Sequence, residues 1–242
     1  MSEDSSPAAC LSALAAGGLF LQEAAPQPAI AKNSRHALLA PLDALRRRPY
    51  AIRIAVPSDT DALVALEAEC WEAHLQTSGT DIISRLGDPA CTAYVAVLPA
   101  GTPLADRVAA VLYTQRIDNA HALLSPSLRQ PGIVDLRCPD GPIVQLLAVA
   151  ARPSQHRLRL GHALREHVLQ LAELGASRQV LAITRCREFA LVDTHAADSS
   201  ADAQFDAHVA AGRDAGLRFH LSAGAAAAVK KSALTFSPDG AP

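Results

Sequence analysis

The sequence predicts a mixed α/β (α+β) fold in which a mostly antiparallel central sheet carries helices on both faces. Three observations point there. Apolar and polar residues alternate from Tyr50 to Val56 in strand fashion. Two strand-like segments, Ala93–Val97 and Val108–Thr114, flank a turn holding Pro99, Gly101 and Pro103, which reads as a hairpin. Leu160, Leu164, Val168, Leu171 and Ala172 then recur at helical spacing up to Gly175.

The remaining elements follow in order. Pro57 ends the first strand, Ser58 offers an N-cap oxygen with Asp61 three residues on, and Leu63, Leu66 and Cys70 mark a helix through Trp71. Ile143–Val149 is an apolar strand and Val180–Ile183 another. A helix is expected around Phe205 to Ala211, and Leu217–Leu221 reads as a last strand. Residues 1–49, rich in Ala, Ser and Pro, read as a poorly ordered leader, linker or adaptor remnant, with a short helix at Ala37–Leu45. Residues 50–222 form the domain, and 223–242 an atypical tail.

Composition removes several classes of function. A net charge near -2 offers no large basic surface, so nucleic acid is not an expected partner. The apolar run Cys10–Leu21 follows Glu3 and Asp4 and is too short to span a bilayer. A cytoplasmic protein without a membrane partner is expected, although an Ala-rich leader leaves room for an organelle address. The five cysteines are never within four residues of one another, which suggests neither a disulfide framework nor a zinc site. No metal is expected. Cys186 reads as inert packing, not as an acyl acceptor.

The chemistry starts in the loop after Ile143–Val149, which runs Ser154-Gln155-His156-Arg157-Leu158-Arg159-Leu160-Gly161-His162. A glycine in the first turn of a helix lets backbone N–H groups approach a phosphate, and the helix dipole favours the negative charge. This loop is similar to the pyrophosphate loop of the GNAT acetyltransferases. Gly161 matches the last glycine of that pattern, Arg157 and Arg159 stand at the earlier glycine positions, and His156 stands where Gln or Arg belongs. Arginines there can contact phosphate oxygens or obstruct the backbone. Four strings, VLYTQRI (111–117), DGPIVQLLAV (140–149), VLAITRCREF (180–189) and LRFHLSAGA (217–225), lie in the order and spacing of the GNAT-like domains that start some modular polyketide synthases. The resemblance covers roughly residues 44–225.

That resemblance implies a GNAT fold that loses carbon dioxide from a malonyl or methylmalonyl thioester to leave a starter acyl unit. The substrate would be an acyl-CoA, acetyl-CoA or malonyl-CoA, or an acyl group on phosphopantetheine, with an acyl carrier protein as a possible partner. Thr184 matches the family's catalytic threonine and His220 its catalytic histidine. Trp71, the only tryptophan, resembles one in the acyl pocket, with core filling as its plain alternative. Val149, His156, Arg157, Arg159, Gly161 and His162 would contact the cofactor. No residue matches the family's Tyr-Arg-Pro motif, so the C-terminal strands are expected to be incomplete and a sheet edge unpaired. Two other functions stay open at this point. One is acetyl-CoA-dependent N-acetyl transfer, for which Glu67, Glu69 and Glu72 on the first helix offer a base. The other is a degenerate module that binds a carrier without catalysis.

Overall fold

The computed structural model describes residues 15–24, 49–99, 107–124, 136–175, 177–186, 188–189 and 201–233. In chain order its elements are β1 (Ala15–Ala24), β2 (Ala51–Ile54), α1 (Thr60–Cys70), α2 (Gly79–Gly87), β3 (Cys91–Val97), β4 (Val108–Ile117), β5 (Ile143–Ala151), α3 (Leu160–Leu174), β6 (Gln179–Arg185), α4 (Ala201–Ala211), α5 (Ala215–Leu221) and β7 (Ala225–Ala233). They fall into two compact units. One gathers Pro26–Ile117 with Arg137–Ser177, the other Met1–Ala25 with Asp118–Leu136 and Arg178–Pro242. The helix expected at Ala37–Leu45 lies outside the described residues.

In the first unit β2, β3, β4 and β5 pair antiparallel in sequence order. The alternation of β3 sorts its two faces. Ala93 and Val95 join Leu63 and Leu66 of α1, Ile82 of α2, and Val111 and Tyr113 of β4 in one cluster. Tyr94, of opposite parity, meets His167 of α3 edge-on at 5.7 Å. Helices therefore cover both faces, as expected from the element order. α3 buries Leu160, Leu164, Val168 and Ala172, one stripe at four-residue spacing. β4 is buried at nine of its ten positions, which is why VLYTQRI lacks a clean alternation.

Two of the four strings are halves of one pairing. Gln115 faces Gln145 across β4 and β5, and its Nε2 donates to the Gln145 Oε1 at 2.9 Å in a buried setting. Arg116 Nη1 donates to the Gly141 carbonyl at 2.9 Å. A buried amide needs such a partner, so each string requires the other.

The start of α1 corrects the capping expectation. A 3-10 turn over Pro57–Asp59 precedes it, and Ser58 is not the cap. Asp59 instead accepts the Val56 N–H at 2.8 Å and pairs through both oxygens with Arg53, at 2.7 and 2.8 Å. The bidentate pair holds the Asp59 carboxyl below its ordinary value. α2 was not legible in the pattern. Its N-terminus is set by Ser78, whose Oγ accepts from the Asp81 N–H at 3.1 Å.

In the second unit β1 lies between β6 and β7 and is antiparallel to both. Phe20 stands opposite Thr184 on one side and Lys230 on the other. These two strands occupy stretches read from the sequence as leader and tail, and β7, paired with β1 alone, is the terminal strand of the sheet. The larger correction is Leu217–Leu221, which is helix α5 and not a strand. Asp214 decides it, since Oδ1 accepts from the N–H groups of Gly216 and Leu217 at 3.0 and 3.3 Å. A satisfied N-cap outweighs the strand-like alternation of five residues. Cys186, Phe189, Phe205, Val209 and Leu217 form the core of this unit. Among the described residues no helix is long and apolar enough to cross a membrane.

Candidate functional site

In the first unit the predicted phosphate loop leaves the end of β5 under tight control. Arg152, 3% exposed, receives the chain there. Its N–H donates to the Ala109 carbonyl at 2.9 Å and its Nε to the Val108 carbonyl at 3.0 Å, while its guanidinium pairs with Glu69 of α1. Cys70 Sγ donates to the Ala151 carbonyl at 3.3 Å. The C-terminus of α1 is thereby tied to the C-terminus of β5, and Trp71 sits at that junction. Trp71 caps α1 through its N–H to the Glu67 carbonyl at 2.9 Å and packs, half-buried, against the cluster beneath.

After a 3-10 turn over Pro153–Leu158 the chain reaches Arg159 at φ 49 and ψ 40, the left-handed region. Arg159 is the one non-glycine residue at positive φ among those described. It stands where the family pattern has glycine, and the backbone adopts the glycine-like turn all the same. For an L-residue that costs about 1–2 kcal/mol. Arg159→Gly is therefore expected to stabilise the fold by about 0.5–1 kcal/mol, after allowing for glycine's greater freedom when unfolded. The melting temperature should rise by about 1–4 °C. An unchanged or lower melting point would show that the side chain compensates.

α3 starts immediately. No side chain caps it and no acidic residue lies in its first turn. The first intrahelical bond runs from the Ala163 N–H to the Arg159 carbonyl at 3.1 Å, which leaves the amides of Leu160, Gly161 and His162 at the helix mouth. Around it stand His156, Arg157 and Arg159, all exposed, with Gly161 and His162 partly covered. Burial, then Arg159 and Arg165, hold the His162 imidazole below its ordinary value. That environment favours the uncharged imidazole, a donor at one ring nitrogen and an acceptor at the other. The arrangement is a helix N-terminus without its own anion, flanked by cations, and it can receive a phosphate.

Val149 lies on the part of β5 that opens toward this loop. Ile143 to Leu146 are buried and Leu147 to Val149 only half so. The change falls at a β-bulge. Tyr113 pairs with Ala148 and Thr114 with Leu146, which leaves Leu147 as the extra residue. A bulge frees backbone groups from the ladder and re-aims the strand. Sequence reasoning missed it because an inserted residue in an apolar run does not disturb composition. It also missed Arg152, although a charged residue directly after such a run was a visible sign.

On the buried face of α1, Glu67 is 2% exposed. Its Oε2 accepts the Thr77 N–H at 3.0 Å, and Oε1 has no partner. Burial raises its pKa.

The other two predicted residues belong to the second unit. Thr184 lies on β6 and is buried. His220 lies in the last turn of α5, half-buried, its ring edge-on to Phe219 at 4.9 Å. Leu217 of α5 and Cys186, at the end of β6, share one apolar cluster, so the elements bearing Thr184 and His220 pack around the same core.

No protein-family model matches this chain, and no curated protein matches it either. Solved structures do. The loading GNATL domain of CurA from Lyngbya majuscula is 27% identical, with 72% of this chain and 83% of that one covered and a TM-score of 0.59. The GphF GNAT-like decarboxylase, solved in complex with isobutyryl-CoA, is 30% identical over 71% of this chain and 84% of that one, again with a TM-score of 0.59.

Proposed function

The chain belongs to the GNAT acyltransferase superfamily, alongside these GNAT-like loading and decarboxylase domains, and from that membership we propose that it binds an acyl-CoA or a phosphopantetheine-borne acyl group and decarboxylates a malonyl-type thioester. The product would be a starter acyl unit for polyketide synthesis, delivered to an acyl carrier protein. The observation that carries this reading is the uncapped, cation-flanked N-terminus of α3 directly after the bulged strand β5. The isobutyryl-CoA bound by the GphF decarboxylase supports it.

In the reaction the bond between the α-carbon and the carboxylate breaks, carbon dioxide leaves, and the electron pair passes into an enolate of the thioester. Charge grows on the thioester oxygen, and a donor aimed there lowers the barrier more than it stabilises the substrate. Thr184 Oγ1 would supply that hydrogen bond. His220 would donate a second one or the proton that quenches the α-carbon, a task suited to an imidazole near neutral pH.

The deciding measurement is a mass-spectrometric assay on malonyl-CoA and on a malonyl carrier protein. Loss of carbon dioxide with retention of the thioester supports the proposal, and an unchanged malonyl thioester at full enzyme loading sinks it. Binding is tested separately by Gly161→Asp, which places negative charge at the helix mouth. CoA affinity should fall by about 10-fold or more, since the dipole contact and a like charge beside phosphate both act against binding. A folded variant with full affinity would move the phosphate site elsewhere.

A second reading, acetyl transfer to an amine, has its own observation in the buried, partly unpartnered Glu67. A carboxylate whose pKa is raised by burial is a competent base. Glu67→Gln separates the two readings. It should abolish transfer of acetyl to amines if that is the activity, and leave decarboxylation in place if it is not.

A further inference from the structure

Cys186, His208 and Asp214 are 6 to 28 positions apart in the chain, yet the second unit brings one donor atom of each to within 4.8 Å of the others. We infer that these three side chains form a zinc site that pins together the end of β6, helix α4 and the N-terminus of α5.

Each donor is held where a metal would need it. Asp214 is 1% exposed. Its Oδ1 takes the Gly216 and Leu217 amides, and its Oδ2 takes the Glu188 N–H at 3.1 Å, which fixes the carboxylate rigidly. His208 is nine-tenths buried, its side chain 10% exposed, with Nε2 at 3.9 Å from Asp214 Oδ2. That is too long for a hydrogen bond, and Nε2 is a buried nitrogen with no partner. Such an orphan is costly and calls for an occupant. Cys186, 2% exposed, brings the sulfur.

The surroundings agree. Phe189 lies against the His208 ring at 5.4 Å and against Phe205 at 4.9 Å, giving the cluster an apolar wall that keeps water and competing dielectric out.

The donor set selects the metal. Thiolate, imidazole and carboxylate together suit a borderline-soft ion, whereas calcium and magnesium take oxygen alone. Zinc bonds of about 2.0–2.3 Å place tetrahedral donors about 3.3–3.8 Å apart, so the three need to close by only about 1 Å. One coordination position is left for water. Binding releases the thiol proton to solvent, and affinity therefore rises with pH. An N-cap and a packing cysteine account for Asp214 and Cys186 separately. They do not account for the orphaned His208 nitrogen between them.

The test uses the full chain without a polyhistidine tag, stripped with chelator and dialysed against zinc. One zinc per chain is expected, and cobalt in its place should show a thiolate charge-transfer band. Cys186→Ser should lose the band and, like His208→Gln, bind zinc at least about 100-fold more weakly. Cys138→Ser should match the native chain. X-ray absorption at the zinc edge of the native chain gives a reading that needs no variant to fold, with one sulfur and the remaining neighbours nitrogen or oxygen. A chain that takes up no stoichiometric zinc, a shell without sulfur, or a band that survives Cys186→Ser would overturn the assignment.

Discussion

Replacing His220 with alanine, or Thr184 with valine, is expected to slow decarboxylation of a malonyl thioester by about 10-fold to 1000-fold each, with KM changed far less. That range corresponds to about 1.4–4 kcal/mol of transition-state stabilisation, the size lost when one oxyanion donor or one general acid is removed. Thr184→Val keeps the volume of a buried side chain on β6 and deletes only the hydroxyl. His220→Ala acts in the last turn of α5, where the helix is already anchored by Asp214 and by the buried Leu217. Neither change should unfold the protein. Circular dichroism and melting curves beside single-turnover kinetics check this directly. Full turnover in both folded variants would mean that the family roles of these two residues do not transfer to this chain.

Gly141→Ala is expected to cause the largest loss of stability, about 3 kcal/mol or more. A Cβ at this position would stand 2.4 Å from the Ile117 carbonyl oxygen and 2.9 Å from the Ile117 nitrogen. Both are backbone atoms of β4 and cannot swing aside as the tip of a flexible side chain would. Overpacking of a tight interior already costs about 1–3 kcal/mol when only side chains must shift. Here the turn that brings the chain into β5 would have to move. The Gly141 N–H bond to the Cys138 carbonyl at 2.9 Å and the Arg116 contact to the Gly141 carbonyl would both be strained. At about 2–4 °C per kcal/mol for a chain of this size, the melting temperature should fall by about 6–12 °C. A melt within 2 °C of the native one, roughly the smallest shift expected per kcal/mol, would show that β4 yields at little cost. The glycine of DGPIVQLLAV thus has a packing reason independent of any ligand.

Where a residue's conformation depends on near neighbours in the chain, the sequence by itself determined the outcome. The stripe Leu160, Leu164, Val168 and Ala172 makes α3 a helix wherever it packs, and the two strand-like segments pair antiparallel as β3 and β4, with Gly101 and Pro103 of the expected turn outside the described residues. The order of β2, α1, β3, β4, β5, α3 and β6, and with it a sheet covered on both faces, follows from those local patterns. So does Gly161 at a helix mouth. Local signals failed where two of them competed over a short stretch. Leu217–Leu221 alternates like a strand, and only the two amides taken by Asp214 commit it to a helix.

What the tertiary structure alone decided involves groups far apart in the chain. The bulge at Leu147 exists only as a mismatch of register between β4 and β5. β1 becomes a strand through partners that lie more than 150 positions away, and the Ala-rich segment of β7, weak in strand propensity, becomes one by pairing with it. Arg159 takes a left-handed turn without a glycine because its neighbours on both sides are already fixed, by Arg152 at the end of β5 and by the buried Leu160 at the start of α3. The gathering of Cys186, His208 and Asp214 follows no spacing rule, since a strand end, a helix and a helix cap each contribute one donor. Hydrogen bonds and ligand sets of this kind are properties of distance in space, and periodicity along the chain carries no record of them.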